Sequence, residues 1–296
     1  MLLKEIKNIF HKELDVLYPQ EEVDSFFYLL IEHHLGLERF VLALQPNFIV
    51  SKQEEQPLFE ALSELRLQTP VQYIMGKAHF MDLELTVNKH VLIPRPETEE
   101  LVRWILTDCH AERSRSIGGN QSTTILDIGT GSGCIALALA KNYPEVQVYA
   151  LDVSARALEV AQRNAEQNKV VVNFIKADIL TLDTLDVPFD IIVSNPPYVR
   201  ELEKKEMKAN VTDYEPKEAL FVPDNDPLLF YKSIVRFAKN SLKEGGSLYF
   251  EVNQYLAQET KQLLEDQNFT DIEVRKDLFG NDRMLKGKIL DIRFKK

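Results

Sequence analysis

From residue 1 to about 70, apolar positions recur at helical intervals and polar ones fill the gaps. Leu2, Ile6, Ile9 and Phe10 share one stripe, continued by Leu14 and Leu17. Val23, Phe26, Phe27, Leu30 and Ile31 make a second, which stops near Gly36. Positions three and four apart share a helical face, so both stretches predict amphipathic helices. Ser51-Lys-Gln-Glu54 has the form of a capping box, in which the side chain at each end takes the backbone N–H of the other. Leu58, Leu62 and Leu65 follow at helical spacing. A small helical domain over residues 1–70 is expected. Its polar outer faces suit a partner-binding role as well as simple packing.

Pro70 ends this region. Over residues 71–96 the spacing shortens to alternation, as in His79-Phe-Met-Asp-Leu-Glu-Leu-Thr-Val87, and predicts a β-hairpin linker. Pro94-Arg-Pro96 is held extended by proline geometry. Thr98 is placed to cap a helix through Leu101, Val102, Trp104 and Ile105. Residues 112–123, rich in Ser, Gly, Asn and Arg, read as a mobile surface loop. Strand-like and helical stretches then alternate. Strands are expected at Thr124–Ile128, Val146–Leu151, Val171–Lys176, Phe189–Ser194 and Gly246–Val252, and helices at Ser154–Asn168 and Pro227–Leu242. Asp271–Arg275 and Leu285–Arg293 are two further strands. The alternation predicts an α/β domain over residues 97–296, a parallel sheet with helices on both faces.

Composition adds mostly exclusions. A chain of 296 residues, 45% hydrophobic and 27% charged, suits one large globular domain plus a small one. The net charge of −11 argues against a tight binder of bare nucleic acid, which needs a basic surplus. Charges interrupt the opening Met-Leu-Leu-Lys-Glu-Ile-Lys, so no signal peptide is expected, and no apolar run approaches the roughly 18 residues of a membrane span. Two cysteines, Cys109 and Cys134, make no disulfide framework and fit a cytoplasmic location. His33 and His34 are adjacent. On a helix they point about 100° apart and cannot share one ion, so no metal site is expected.

The chemistry-bearing residues stand at the predicted strand ends. The first strand runs into Asp127-Ile-Gly129-Thr130-Gly131-Ser132-Gly133. Glycines at a strand-to-helix turn let a ligand approach the backbone. A dinucleotide fingerprint would need glycine at position 134, which is Cys134, so a pyrophosphate cradle is disfavoured. The second strand ends at Asp152, where a carboxylate can accept both hydroxyls of a ribose. After the third comes Asp178-Ile179: an acceptor for an adenine amino group and an apolar cover for its ring. Together they outline an adenosine-shaped site.

The fourth strand leads straight into Asn195-Pro196-Pro197-Tyr198. Two prolines fix an extended turn and donate no backbone hydrogen bond. The Asn195 side-chain oxygen and the Pro196 carbonyl could therefore hold both N–H bonds of a planar nitrogen, with the Tyr198 ring packed against the planar group. Positioning and acceptor groups of this kind favour attack on the methyl of a sulfonium such as S-adenosylmethionine. Adenine N6 and a glutamine side-chain amide both satisfy the loop.

The whole chain resembles the HemK/PrmC family, protein-(glutamine-N5) methyltransferases of class I peptide chain release factors. The marks are Pro70-Val-Gln-Tyr73-Ile-Met-Gly76, Ile93-Pro-Arg-Pro-Glu-Thr-Glu99, Asp127–Gly133, Asn195–Tyr198, Glu215-Pro216 with Ala219-Leu220, and Gly280-Asn-Asp-Arg283. The resemblance implies a Rossmann-like sheet of seven strands, the last one antiparallel, and a helical N-terminal domain that recognises substrate. It implies S-adenosyl-L-methionine as cofactor. Gly129 to Gly133 would lie against its methionine part, Asp152 against the ribose, and Asp178 and Ile179 against the adenine. Asn195 would border cofactor and substrate, and Asn195 to Tyr198 would take the glutamine of a release factor's Gly-Gly-Gln loop. A monomer with no membrane partner and no nucleic-acid substrate is expected. Arg95 and Glu99 would pin the hairpin, Glu215-Pro216 would shape a lid, and Asp282-Arg283 would be a structural turn. The rival readings are an adenine-N6 methyltransferase of DNA or RNA and a non-catalytic adaptor.

Overall fold

The computed structural model describes residues 1–115 and 123–290. The chain divides into two compact units, one of Met1–Lys77 with Lys208–Tyr214, the other of Ala78–Met207 with Glu215–Lys296.

The first unit opens with α1 (Leu3–Leu14), α2 (Gln20–Leu35), a short α3 (Val41–Leu44), α4 (Lys52–Arg66) and α5 (Val71–Met75). The stripe of α1 runs through Leu3, Ile6, Phe10 and Leu14, all fully buried. Leu2 instead precedes the helix in extended backbone, and Leu17 lies past its end and is 42% exposed. Val23, Phe26, Phe27, Leu30 and Ile31 are buried on α2, which ends where Gly36 turns left-handed at φ +65°. Ser51 and Glu54 form the expected capping box at the start of α4.

In the second unit, β1 (Lys77–Phe80) and β2 (Leu83–Thr86) form the hairpin, so the alternating stretch is strand only after the helical turn of α5. Helix α6 (Pro96–Arg115) follows. It starts two residues before Thr98, because proline suits a first helical turn, and it absorbs residues 112–115, which the composition marked as loop. Residues 116–122 of that loop lie outside the described residues.

The α/β pattern then unfolds as β3 (Thr124–Ile128), α7 (Cys134–Asn142), β4 (Gln147–Asp152), α8 (Ala155–Asn168), β5 (Asn173–Lys176) and β6 (Phe189–Ser194). After a two-residue β7 (Val199–Arg200), a turn α9 (Ala209–Thr212) and β8 (Phe221–Val222) come α10 (Leu229–Ser241), β9 (Leu242–Glu251), α11 (Ala257–Asp266), β10 (Phe269–Lys276) and β11 (Asp282–Ile289). Seven strands make one sheet in the order β10-β11-β9-β6-β3-β4-β5. All neighbours from β9 to β5 are parallel, and β11 is antiparallel to both β9 and β10. Asp282 and Arg283 are therefore the first strand residues of β11 and not a turn; the turn lies between β10 and β11. Two apolar layers sandwich the sheet, one carrying Trp104 and Leu137, the other Tyr231 and Phe237.

The register sets the functional edge. Ile128 lies opposite both Leu151 and Ser194, and Asp152 opposite Lys176. The residues that follow each strand therefore emerge at one level.

Strand β9 bulges past β6, whose partners step from Leu242 to Ser247 between Phe189 and Ile191. Gly246 sits in this bulge, where an added Cβ would lie 2.9 Å from the Lys243 carbonyl oxygen and 3.0 Å from that of Asp190. Backbone on both sides leaves no flexible atom to yield. Gly246→Ala is expected to lower stability by about 1–3 kcal/mol, read as a lower urea midpoint.

Candidate active site

A cavity of about 610 Å³ opens at the carboxyl edge of β3, β4, β5 and β6. That volume is in the range of sites for nucleoside-sized ligands. Of the residues singled out in the sequence, Gly129, Gly131, Asp152, Asp178, Ile179, Asn195, Pro196 and Pro197 line it. Thr130, Ser132, Gly133 and Tyr198 stand behind its wall.

Gly129 and Gly131 have φ of +74° and +55°, and a Cβ on either would meet nothing within 4 Å. Their requirement for glycine is conformational, and they leave bare backbone facing the cavity. Gly133 is different. Its φ is +85°, and a Cβ would come within 2.5 Å of Leu137 Cδ1 and 3.2 Å of Ala161 Cβ. It lets α7 pack closely on α8. Ser132 is buried, and its carbonyl accepts from Asn164 Nδ2 at 2.9 Å.

Asp152 ends β4 with both carboxylate oxygens engaged. Oδ2 accepts from the Gly131 amide at 2.9 Å and Oδ1 from the Ser154 amide at 2.8 Å. Each oxygen keeps acceptor capacity for a further donor. Burial raises this carboxyl above its ordinary pKa, and the Ser154 and Gly131 amides pull against that. Asp178 accepts from the Leu180 amide at 2.9 Å, and Ile179 is buried in the adjoining apolar layer. An open glycine backbone, a carboxylate with spare acceptors and an apolar wall fit an adenosyl ligand.

The Asn195 loop is held from behind. Asn195 Nδ2 donates to Thr98 Oγ1 at 3.2 Å, and Thr98 Oγ1 donates to Glu251 Oε2 at 2.6 Å. Tyr198 donates to Glu251 Oε1 at 2.9 Å, and Asn253 Nδ2 to the Tyr198 carbonyl at 3.0 Å. Burial pushes the Tyr198 phenol well above its ordinary value. Ser194 Oγ donates to the Ile128 carbonyl at 2.7 Å, tying the ends of β6 and β3.

The flanking motifs act as struts. Arg95 pairs with the buried Glu215, which also accepts from the Ile93 amide at 3.0 Å. Glu99 accepts from the Met81 amide in the hairpin turn at 2.7 Å. Arg283 pairs with Asp277 at 3.2 Å. Sequence reasoning missed Glu251, the contribution of Lys89 to Leu92 and of Glu218 to the cavity wall, and the task of Thr98, which bonds a side chain rather than capping a helix; Pro216 and Ala219, marked in the sequence, also line it. A carboxylate in the apolar run Leu248–Val252 was the available signal for Glu251.

Comparison with known proteins agrees with this geometry. Two family models match: the PrmC N-terminal domain over residues 8–76 and the methyltransferase small domain over residues 114–213. The catalytic domain of human Mettl16, solved with an RNA hairpin, superposes with a TM-score of 0.57 at 15% identity, covering 94% of this chain and 95% of that one. A methyltransferase from Pyrococcus furiosus gives 0.50 at 17% identity, over 81% and 100%. At these identities the likeness is one of fold. The matching methyltransferase model over the glycine loop marks an S-adenosylmethionine-dependent methyltransferase. A release factor glutamine methyltransferase of Flavobacterium psychrophilum is 48% identical over 97% of this chain and 99% of its own length. One of Bacteroides thetaiotaomicron is 42% identical over 93% and 95%. The chain belongs to the release factor glutamine methyltransferase family.

Asp127 is the one acid of the motif shut off from water. Its Oδ2 accepts from Thr130 Oγ1 at 2.6 Å, and its Oδ1 has no well-formed partner. Burial drives its carboxyl up to about 7, against about 3.9 in an unfolded chain. The folded state thus keeps a proton that the unfolded state releases. This stabilising contribution is complete below about pH 4 and is lost as pH rises through about 7. Asp127→Asn is expected to gain stability relative to the unsubstituted protein across that window, by a few kcal/mol at its upper end, measured by denaturant titration at successive pH values.

Proposed function

We propose that the protein methylates the side-chain amide nitrogen, N5, of the glutamine in the Gly-Gly-Gln loop of class I release factors. The close relatives of full length carry the release-factor part of this reading, and the Asn195 loop carries the nitrogen. Residues 97–296 supply catalysis, residues 71–96 link, and residues 1–70 recognise the protein substrate. The enzyme works as a cytoplasmic monomer, where release factors meet the ribosome. Among the described residues no helix is long and apolar enough to cross a membrane. The net charge of −11 disfavours the adenine-N6 reading.

Bound S-adenosylmethionine supplies an electrophilic methyl on a sulfonium. Asp152 would accept from the ribose hydroxyls, Asp178 from the adenine amino group, and Ile179 would cover the ring. The bare backbone of Gly129 and Gly131 would admit the methionine part. An amide nitrogen is a weak nucleophile because its lone pair is delocalised into the carbonyl. Asn195 Oδ1 and the Pro196 carbonyl would accept its two N–H bonds, fix the nitrogen, and stabilise the positive charge it gains on alkylation. The methylated nitrogen then loses one proton to water. The Pro196-Pro197 pair keeps the carbonyl in place without a competing donor. Tyr198, which does not line the cavity, would brace the loop from behind through Glu251 and Asn253.

Two outcomes are expected. Asp152→Ala weakens S-adenosylmethionine binding about 10- to 100-fold, from the loss of charge-assisted bonds worth roughly 1.5–3 kcal/mol. In the unsubstituted protein the same calorimetric affinity falls as pH drops through the raised Asp152 value, since the protonated acid accepts poorly. With labelled cofactor, a release factor gains one methyl on the Gly-Gly-Gln glutamine, and Asn195→Ala lowers kcat about 100-fold or more with cofactor affinity retained. Labelling of DNA or RNA in place of the release factor would overturn the reading.

A further inference from the structure

We propose that Glu251 is a positioning residue: acting through Thr98, its carboxylate decides which end of the Asn195 amide faces the substrate. The proposal rests on the methyl-transfer reading of the same loop and adds a determinant that the loop itself does not contain.

An ionised carboxylate only accepts, and a hydroxyl has one proton to give. The Thr98 proton is committed to Glu251 Oε2 at 2.6 Å. Only lone pairs remain on Thr98 Oγ1, so whatever faces it must be a donor. Asn195 Nδ2, 3.2 Å away, is that donor. The Asn195 carbonyl oxygen is thereby turned the other way, as the acceptor that a substrate N–H requires. The second oxygen of Glu251 takes the Tyr198 hydroxyl at 2.9 Å, so a single carboxylate holds both ends of the Asn195–Tyr198 turn.

The chain of bonds has a direction, and its sense depends on residue 251 being an acceptor. A donor there would bond Thr98 Oγ1, release the Thr98 proton toward Asn195, and flip the amide so that its NH₂ met the substrate NH₂. Two donors would then face each other. Glutamine at 251, with the volume of glutamate, offers one acceptor where glutamate offers two: with its NH₂ toward Thr98 the amide of Asn195 flips, and with its NH₂ toward Tyr198 the anchor of that hydroxyl is lost.

The acceptor role of Glu251 rests on the two hydroxyls that donate to its two oxygens. The residue is 1% exposed and lies at the end of β9, opposite Met284. Glu97 and Thr98 of α6, Tyr198 of the loop, Arg283 of β11 and Tyr231 of α10 face it, the last donating to its backbone carbonyl at 3.1 Å. Burial raises its carboxyl, while the hydroxyls of Thr98 and Tyr198 and the charge of Arg283 favour the ionised form.

Thr98 can be tested apart from Glu251. Thr98→Ser keeps the hydroxyl, and Thr98→Val removes it at nearly equal volume. Steady-state methylation of a release factor is expected to show kcat lowered about 10- to 100-fold in Glu251→Gln and in Thr98→Val, the size of effect seen when one preorganised group is lost. KM and calorimetric S-adenosylmethionine affinity should stay within about twofold, and Thr98→Ser should retain most of kcat. The double variant should be no slower than the slower single one, because both break one relay. A readout without turnover is the ¹⁵N-labelled Asn195 side chain. Its Nδ2 protons should show Overhauser contacts to Thr98 in the unsubstituted protein, and Glu251→Gln should lose either these contacts or the Tyr198 hydroxyl's bond. Absence of release-factor methylation by the unsubstituted enzyme would remove the functional reading, with the Overhauser contacts still testing the relay. The relay itself falls if Glu251→Gln keeps the contacts and a normal kcat, or if Thr98→Ser is as slow as Thr98→Val.

Discussion

Everything at the active edge depends on the register of four parallel strands. With Ile128 opposite both Leu151 and Ser194, and Asp152 opposite Lys176, the residues after each strand must leave the sheet at one level. A one-residue slip in any strand would turn its edge residues to the other face. The register is held by apolar layers on both sides, which is why strands with little polarity of their own can fix polar groups a few residues further on. Thr124, through its bonds to Asp190 and the Pro188 carbonyl, locks β3 to β6 at the opposite end.

Acids dominate this edge, and their burial separates their tasks. Asp127 is enclosed and pushed up to about 7. Asp152 meets two amides and the cavity. Glu251 meets two hydroxyls and no cavity. Three carboxylates near one ligand site would repel each other in a uniform medium. Here each has its own donors, so a neutral, weakly nucleophilic substrate atom meets acceptors with no strong base nearby. That suits alkylation of an amide, where the proton leaves after the bond has formed.

Much of this was legible in the chain. Buried parallel strands read as near-continuous apolar runs, so Thr124–Ile128 and Phe189–Ser194 agree with β3 and β6 to the residue. The edge strand β5 starts later than its β-branched residues suggest, because Val171 is 86% exposed and pairs with nothing in the ladder. Strand β9 starts four residues before Gly246, across a bulge that shows only in its pairing with β6. At the site, Gly129, Asp152, Asp178 and Asn195 were visible since each stands at a strand end or within two residues of it. Thr98 and Glu251 were not, since their meaning lies in a contact between residues far apart in sequence.

The route of the chain carries one more consequence. Residues Lys208–Tyr214 belong to the N-terminal unit, although Met207 and Glu215 on either side belong to the other. Tyr214 bonds the Leu67 carbonyl, and Lys208 pairs with Glu22. During synthesis, the helices of residues 1–77 leave the ribosome first, yet the last piece of their unit arrives only after β3 to β6 have been made. Domains ordinarily fold as units in the order of their synthesis. The apolar core of residues 1–77 is complete without that segment, so the helices can pack as they emerge, and the bonds of Lys208 and Tyr214 are added only when most of the second unit has been translated.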